Sequence, residues 1–281
     1  MAVILDGKEV ARKIRQNLKE EVSKLKEEGI SPKLAVIMVG DDSASKIYVK
    51  NKSIACNEIG IEYEEYLLKE ETTMDELLSL IDKLNNDKAI NGILLQSPIP
   101  KNLDINEAFK AIDPIKDVDG FNPMNVGKLC LGQDAFISCT PYGVIKILED
   151  YNIEIEGKNA VIIGRSNIVG KPMLQCLLNK NATVTVCHSR TKNLAEITKM
   201  ADILVVAIGK SKFVTKDMVK DGAVVVDVGI NRGEDGKLCG DVDFEEVSKV
   251  ASYITPVPGG VGPMTIAMLM NNIVKATKLQ N

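Results

Sequence analysis

Long apolar runs, paired cysteines, histidine and surplus basic charge are all scarce in this 281-residue chain. No segment approaches the roughly twenty apolar residues that a membrane-spanning helix needs. The opening MAVILDGKEVARKIRQ passes at once from a brief apolar run into charge, unlike a signal peptide. A cytoplasmic protein with no membrane partner is therefore expected. The six cysteines, Cys56, Cys130, Cys139, Cys176, Cys187 and Cys239, lack CxxC spacing. That argues against a zinc site and a dense disulfide framework, so free thiols and no metal are expected. A net charge of -4 with 26% charged residues speaks against disorder and against a nucleic-acid partner. The only histidine, His188, closes an apolar strand, where a local structural or cofactor-edge role suits it better than general-base chemistry.

What is present is α/β grammar, in a chain long enough for two cores. Val10, Ile14, Leu18, Val22 and Leu25 recur at helical spacing before Gly29. KLAVIMVG then reads as a strand covered on both faces, a helix is expected from about Ser43 to Glu58, and EYEEYLLKE is a strand whose charges compete with its apolar positions. Thr73 and Glu76 form a capping box before another helix, and NGILLQSPIP is a strand closed by prolines. Residues 110–132 lack a clean period and read as a long surface connection. Thr140 and Pro141 suit the cap and first turn of a helix. Beyond them NAVIIG, TVTVCH, DILVVAIG and AVVVDVG are strands of a parallel sheet. The expected boundaries are residues 1–140 for an N-terminal α/β catalytic domain and 141–261 for a Rossmann-like domain, while the amphipathic run 262–281 either closes the second sheet or returns to complete the first domain.

In NAVIIGRSNIVG, the residues Gly164, Ser166 and Gly170 occupy the place where a dinucleotide fold needs a tight turn ahead of a helix N-terminus. Ser166 stands where the middle glycine of GxGxxG would be, so the turn by itself is a weak signal and a bare structural turn is its alternative. After the next strand come Ser189, Arg190 and Thr191, in place of the acidic residue that grasps the ribose of NAD. With Arg165 they fit a 2′-phosphate and favour NADP, although each arginine also reads as a surface charge. More than a hundred residues earlier, Tyr48 and Lys52 are four apart on one helical face. A lysine works as acid or base near neutrality only if burial or nearby cations such as Lys46 and Lys50 lower its proton affinity. The separation of this pair from the glycine turn predicts a cleft between domains.

YVKNK, GILLQSPIP, KDVDGFNP, CTPYGV, GRSNIVGKPM, DVGIN, GDVDF and TPVPGGVGPMT, in that order along essentially the whole chain, resemble the bifunctional methylenetetrahydrofolate dehydrogenase/cyclohydrolase family. The resemblance implies oxidation of 5,10-methylene-tetrahydrofolate with NADP and hydrolysis of the methenyl product to 10-formyl-tetrahydrofolate. It also implies a homodimer, tetrahydrofolate one-carbon derivatives as partners, and a place in purine biosynthesis. It makes Lys52 the central catalytic group, Tyr48 a platform for the folate ring, Gln96 its hydrogen-bonding neighbour and Asp119 the acceptor for the pterin edge. Gly164, Arg165, Ser166, Ser189, Arg190 and Ile230 would contact the cofactor, while Pro258, Gly259 and Gly260 would line the cleft near the substrate. Ser97 and Asn122 depart from the family pattern. A dehydrogenase without cyclohydrolase activity and a non-catalytic NADP-binding sensor are the alternatives.

Overall fold

The computed structural model of the chain describes residues 1–233 and 236–281. Its first elements are β1 (Val3–Ile4), α1 (Gly7–Glu27), β2 (Lys33–Val39), α2 (Ser43–Ile59), β3 (Glu62–Leu68), α3 (Met74–Asn86), β4 (Gly92–Leu95), α4 (Ile105–Ala111) and α5 (Pro123–Cys130). Then follow α6 (Cys139–Asp150), β5 (Asn159–Ile163), α7 (Gly170–Leu178), β6 (Thr183–Cys187), α8 (Leu194–Thr198), β7 (Ile203–Val206) and β8 (Val224–Asp227). Last come β9 (Asn231–Arg232), β10 (Leu238–Cys239), α9 (Phe244–Val247), β11 (Tyr253–Ile254) and α10 (Val261–Gln280). They make two compact α/β units, one of Lys13–Ile137 with Ile266–Asn281 and the other of Met1–Arg12 with Ser138–Thr265.

The first unit holds a parallel sheet of order β3-β2-β4. Central β2 is buried from Leu34 to Val39, which accounts for its unbroken apolar run. β3 tolerates its glutamates because it is an edge strand, and Glu64 pairs with Lys33 of β2 at 2.7 Å. The Thr73–Glu76 capping box opens α3, a feature worth about 1 kcal/mol. Leu77, Ile81 and Leu84 then bury against the sheet core, each contributing on the order of 1.5–3 kcal/mol. At the other end of α3, the buried ammonium of Lys116 donates to the carbonyls of Leu84 (3.0 Å), Asn85 (2.8 Å) and Asp87 (2.7 Å). Its three donors meet carbonyls at and just past the helix end, of which Asp87 O also accepts from Ile90 N at 3.2 Å.

Residues 110–132 are not the expected surface connection. They contain α5 and bury Lys116, Asp117, Val118, Asn122 and Asn125. Their polar residues, which suggested a loop, are consumed in internal hydrogen bonds, and Ile93 N donates to Lys116 O at 2.8 Å so that the segment extends the β4 edge.

The second unit holds a wholly parallel sheet of order β1-β11-β8-β7-β5-β6. Its outermost strand comes from the first residues of the chain. Val3 and Ile4 pair with Tyr253 and Ile254, so the segment before Arg12 packs here and not with residues 13–137. α6 is capped two residues earlier than Thr140 and Pro141 suggested: Ser138 is its N-cap and makes no side-chain cap bond. Thr140 instead shares a 3.0 Å hydroxyl bond with Thr265. Among the described residues, no helix is long and apolar enough to cross a membrane.

Candidate active site

In the first unit the parallel strands deliver their following residues to one edge of the sheet. Asp42 follows β2 and caps α2 by accepting from Ser45 N at 2.7 Å. One turn apart on that helix are Tyr48, 44% exposed, and the half-buried Lys52. Gln96 directly follows β4. Its Nε2 donates to the Ser97 carbonyl at 2.6 Å, and a carbonyl can only accept, so Oε1 is the atom turned toward Lys52. Lys52 Nζ donates to that oxygen at 2.8 Å. In this contact Ser97 serves through its backbone.

Of the two cations nominated to tune Lys52, Lys46 is ion-paired with Asp41 and Lys50 is exposed. Cys56, a further turn along, has its thiol pushed up to about 12 by burial, so it stays protonated at neutral pH and is no nucleophile.

Asp119 is half-buried at the end of the segment that runs beside β4. Its placement depends on Asp117, only 2% exposed. The Asp117 carboxylate accepts from Gly120 N (3.1 Å), Phe121 N (3.2 Å), Asn122 N (2.8 Å) and Asn125 Nδ2 (2.8 Å). Burial raises its pKa while these donors pull it back. Asn272, buried on α10, donates to the carbonyls of Val118 (2.8 Å) and Ile137 (3.0 Å). Asn122 caps α5, accepting from Met124 N at 2.8 Å while its Nδ2 donates to Ile112 O at 2.8 Å. That departure from the family pattern is a buried structural residue.

In the second unit, β6 lies on one side of β5 and β7 on the other, so the chain reverses direction across the sheet there. Crevices at the carboxyl ends of such strands are where open α/β sheets receive ligands. A depression of about 510 Å³ opens at this point, lined by Gly164, Arg165, His188, Ser189, Thr191 and Lys210 among others. Gly164 has φ +128°, and a Cβ there would lie 2.3 Å from Ala207 O; one at Gly170 would lie 2.3 Å from Gly164 O. Ser166 Oγ accepts from Val169 N (3.1 Å) and Gly170 N (3.4 Å). The serine in the middle-glycine place is therefore a local cap, and these N–H groups at the start of α7 are already engaged.

His188 makes a tight turn, its backbone N–H donating to Thr191 Oγ1 at 2.8 Å and its Nδ1 accepting from Arg190 N at 3.1 Å. Arg190 is exposed. Lys210 and Phe213, which also lines the depression, were not anticipated. Lys210 Nζ sits 5.6 Å from the Phe213 ring centroid, and position just past β7, next to the reversal, was their only signal.

Pro258, Gly259 and Gly260 belong to this second unit, where they line a smaller hollow of about 140 Å³ together with Ile230 and Lys8. Gly259 has φ +111°, and a Cβ at Gly260 would lie 2.6 Å from Pro256 O, so the loop's course excludes side chains at both. Nearby Asp227, at the end of β8, has its carboxyl pushed up to about 6 by burial, with the charge of Asp241 adding to the effect.

Both units match family models. Residues 5–119 match the tetrahydrofolate dehydrogenase/cyclohydrolase catalytic domain and residues 138–281 the NAD(P)-binding domain of the same family. The bifunctional protein FolD of Agathobacter rectalis is 58% identical over 278 residues, covering 99% of this chain and 100% of the relative. The solved structure of the bifunctional methylenetetrahydrofolate dehydrogenase/cyclohydrolase of Campylobacter jejuni is 55% identical with a TM-score of 0.99, covering 100% of both chains. That of the Trypanosoma brucei dehydrogenase-cyclohydrolase, complexed with NADP cofactor and inhibitor, is 37% identical with a TM-score of 0.94, covering 99% of this chain and 98% of that one. The chain belongs to the tetrahydrofolate dehydrogenase/cyclohydrolase family.

Proposed function

We propose that this chain oxidises 5,10-methylene-tetrahydrofolate with NADP and hydrolyses the 5,10-methenyl product to 10-formyl-tetrahydrofolate. The observation that carries the reading to particular atoms is the 2.8 Å contact between Lys52 Nζ and Gln96 Oε1, in a chain of this family. The glycine turn fits a dinucleotide. Gly164 and Gly170 have no space for a Cβ, which leaves bare backbone where a pyrophosphate needs close approach. Arg165 and Ser189 at the depression suit a 2′-phosphate, and the Trypanosoma brucei relative is complexed with NADP. When bound, NADP supplies the acceptor for the hydride that leaves the methylene carbon. For this step the protein's part is alignment: Tyr48 offers a face for the folate ring and Asp119 a two-oxygen acceptor for adjacent pterin N–H groups.

Hydrolysis makes a different demand. Water forms a bond to the methenyl carbon and loses a proton, the bond from that carbon to N5 breaks, and N5 finishes with a proton of its own. Lys52 takes the first proton and returns one to N5, and a second proton leaves with solvent as the formyl carbonyl forms. An ordinary lysine, with pKa about 10.4, is protonated near neutrality. A cationic methenyl group bound beside it disfavours the ammonium and frees the amine for this role. Gln96 holds Nζ in place as the charge changes.

The test is a coupled absorbance assay on purified protein with 5,10-methylene-tetrahydrofolate and NADP or NAD. Reduced cofactor together with methenyl decay faster than the spontaneous rate is expected with NADP. Spontaneous decay alone would leave only a dehydrogenase, and no reduction with either cofactor would sink the reading.

The same reading implies a homodimer in the cytoplasm, supplying one-carbon units to purine biosynthesis. All six cysteines are free, which suits a reducing compartment. β3 has no partner on its outer edge among the described residues, and Leu67 on it is 64% exposed, a combination that proteins usually cover. Light scattering is expected to give twice the chain mass, and a monomer at micromolar concentration would refute the dimer.

A further inference from the structure

The reaction as described leaves a buried polar device in the second unit unused. Asp241, 0% exposed, follows β10. Its Oδ2 accepts from Ile208 N (2.7 Å) and Gly209 N (3.0 Å), and its Oδ1 from Lys210 N (2.7 Å). Three consecutive amides of the loop after β7 thus converge on one carboxylate. Oδ1 also accepts from Asn231 Nδ2 at 2.8 Å, in the segment after β8. Asp227 supports it from β8, accepting from Gly229 N (2.9 Å), Asp241 N (3.0 Å) and Val242 N (2.8 Å).

The glycines of DVGIN and GDVDF belong to this arrangement. A Cβ at Gly229 would lie 2.3 Å from Asp241 Cγ, and one at Gly240 would lie 1.8 Å from Asp227 Oδ2. Ile208 and Lys210 line the depression at the chain reversal, and Ile230, next to Asn231, lines the smaller hollow. One carboxylate therefore ties the loop after β7, which lines the depression read as the dinucleotide site, to the segment after β8, whose Ile230 lines the smaller hollow. Removing this carboxylate would leave three part-buried amides without their shared acceptor.

We propose that Asp241 is a positioning residue for the dinucleotide, holding the loops after β7 and β8 in the shape that receives NADP while touching no reacting atom. The proposal rests on the NADP reading. Its test uses the two activities as internal controls, since methenyl hydrolysis can be assayed without NADP.

Asp241→Asn keeps one acceptor but turns the other corner into a donor facing N–H groups. We expect the KM for NADP to rise about tenfold or more, while kcat for methenyl hydrolysis stays within about twofold. Asn231→Ala removes a single tie from a half-buried site, so it spares the fold even if the aspartate variant does not. Its KM for NADP should rise about threefold to fivefold. An unchanged KM for NADP in both variants overturns the proposal, as does hydrolysis falling in parallel with dehydrogenation in both, which would mark a general loss of structure. Wild-type protein that hydrolyses the methenyl compound but does not use NADP overturns the cofactor reading as well, and so separates the two failures.

Discussion

Replacing Lys52 by methionine will uncouple the two reactions: methenyl hydrolysis is expected to fall about 10²–10⁴-fold, the range for losing a positioned acid-base group, while NADP reduction persists. Hydride removal needs no proton transfer at the protein, because the bridge nitrogens stabilise the cation formed. Methionine preserves most of the apolar stem of the half-buried Lys52, so the substitution removes the ammonium that meets Gln96 Oε1 with little change in volume. The measurement is the coupled assay, with the methenyl intermediate followed directly. It should accumulate in the variant and decay at the spontaneous rate. Equal losses of both activities would mean that Lys52 mainly binds the folate, and undiminished hydrolysis would place the proton transfers elsewhere.

Gly164→Ala is expected to act on the other ligand. A Cβ would sit 2.3 Å from Ala207 O and 3.1 Å from Ala207 C, at a φ of +128°. Both partners are backbone, so relief requires β5 or the residue after β7 to move. Such overpacking and backbone strain cost about 1–3 kcal/mol each. Displacing the turn should weaken NADP by roughly 10²-fold, if about 2.7 kcal/mol of that strain falls on the bound geometry. Hydrolysis without NADP should be retained, because Lys52 and Gln96 belong to the other compact unit. An NADP titration and a thermal melt on the same preparation give the answer. Normal affinity in a destabilised protein would show that the glycine serves the fold alone.

Where side chains answer to their local neighbourhood, the sequence was readable. The unbroken apolar run of β2, the Thr73–Glu76 box and the Tyr48–Lys52 spacing each state their structure within a few residues. The glycine turn was readable too, although its serine proved to be a cap on α7. Legibility failed where polar residues act across long separations. Lys116 looked like a loop charge because its three carbonyl partners lie 29 to 32 residues away. Asp241 drew no reading beyond its place in GDVDF because it serves a loop 31 to 33 residues earlier. Local periodicity cannot register either bond, and a segment rich in Asp, Asn, Gly and Pro reads as solvent-facing unless its partners are known. The first strand was missed for the same reason: two residues give no period, and its partner β11 lies 250 positions downstream.

That pairing bears on how the protein is made. Each compact unit combines an early piece of chain with a late one, Met1–Arg12 with Ser138–Thr265 and Lys13–Ile137 with Ile266–Asn281. During synthesis neither can be finished when its bulk has emerged from the ribosome. The first unit is complete only with the part of α10 from Ile266 on, where Asn272 braces the Val118 carbonyl. The six-stranded sheet gains its outermost neighbour only when β11 meets a strand made 250 residues earlier. Cutting the gene near codon 138 would consequently yield two fragments that each lack part of their own fold, and mixing them would be needed to recover either.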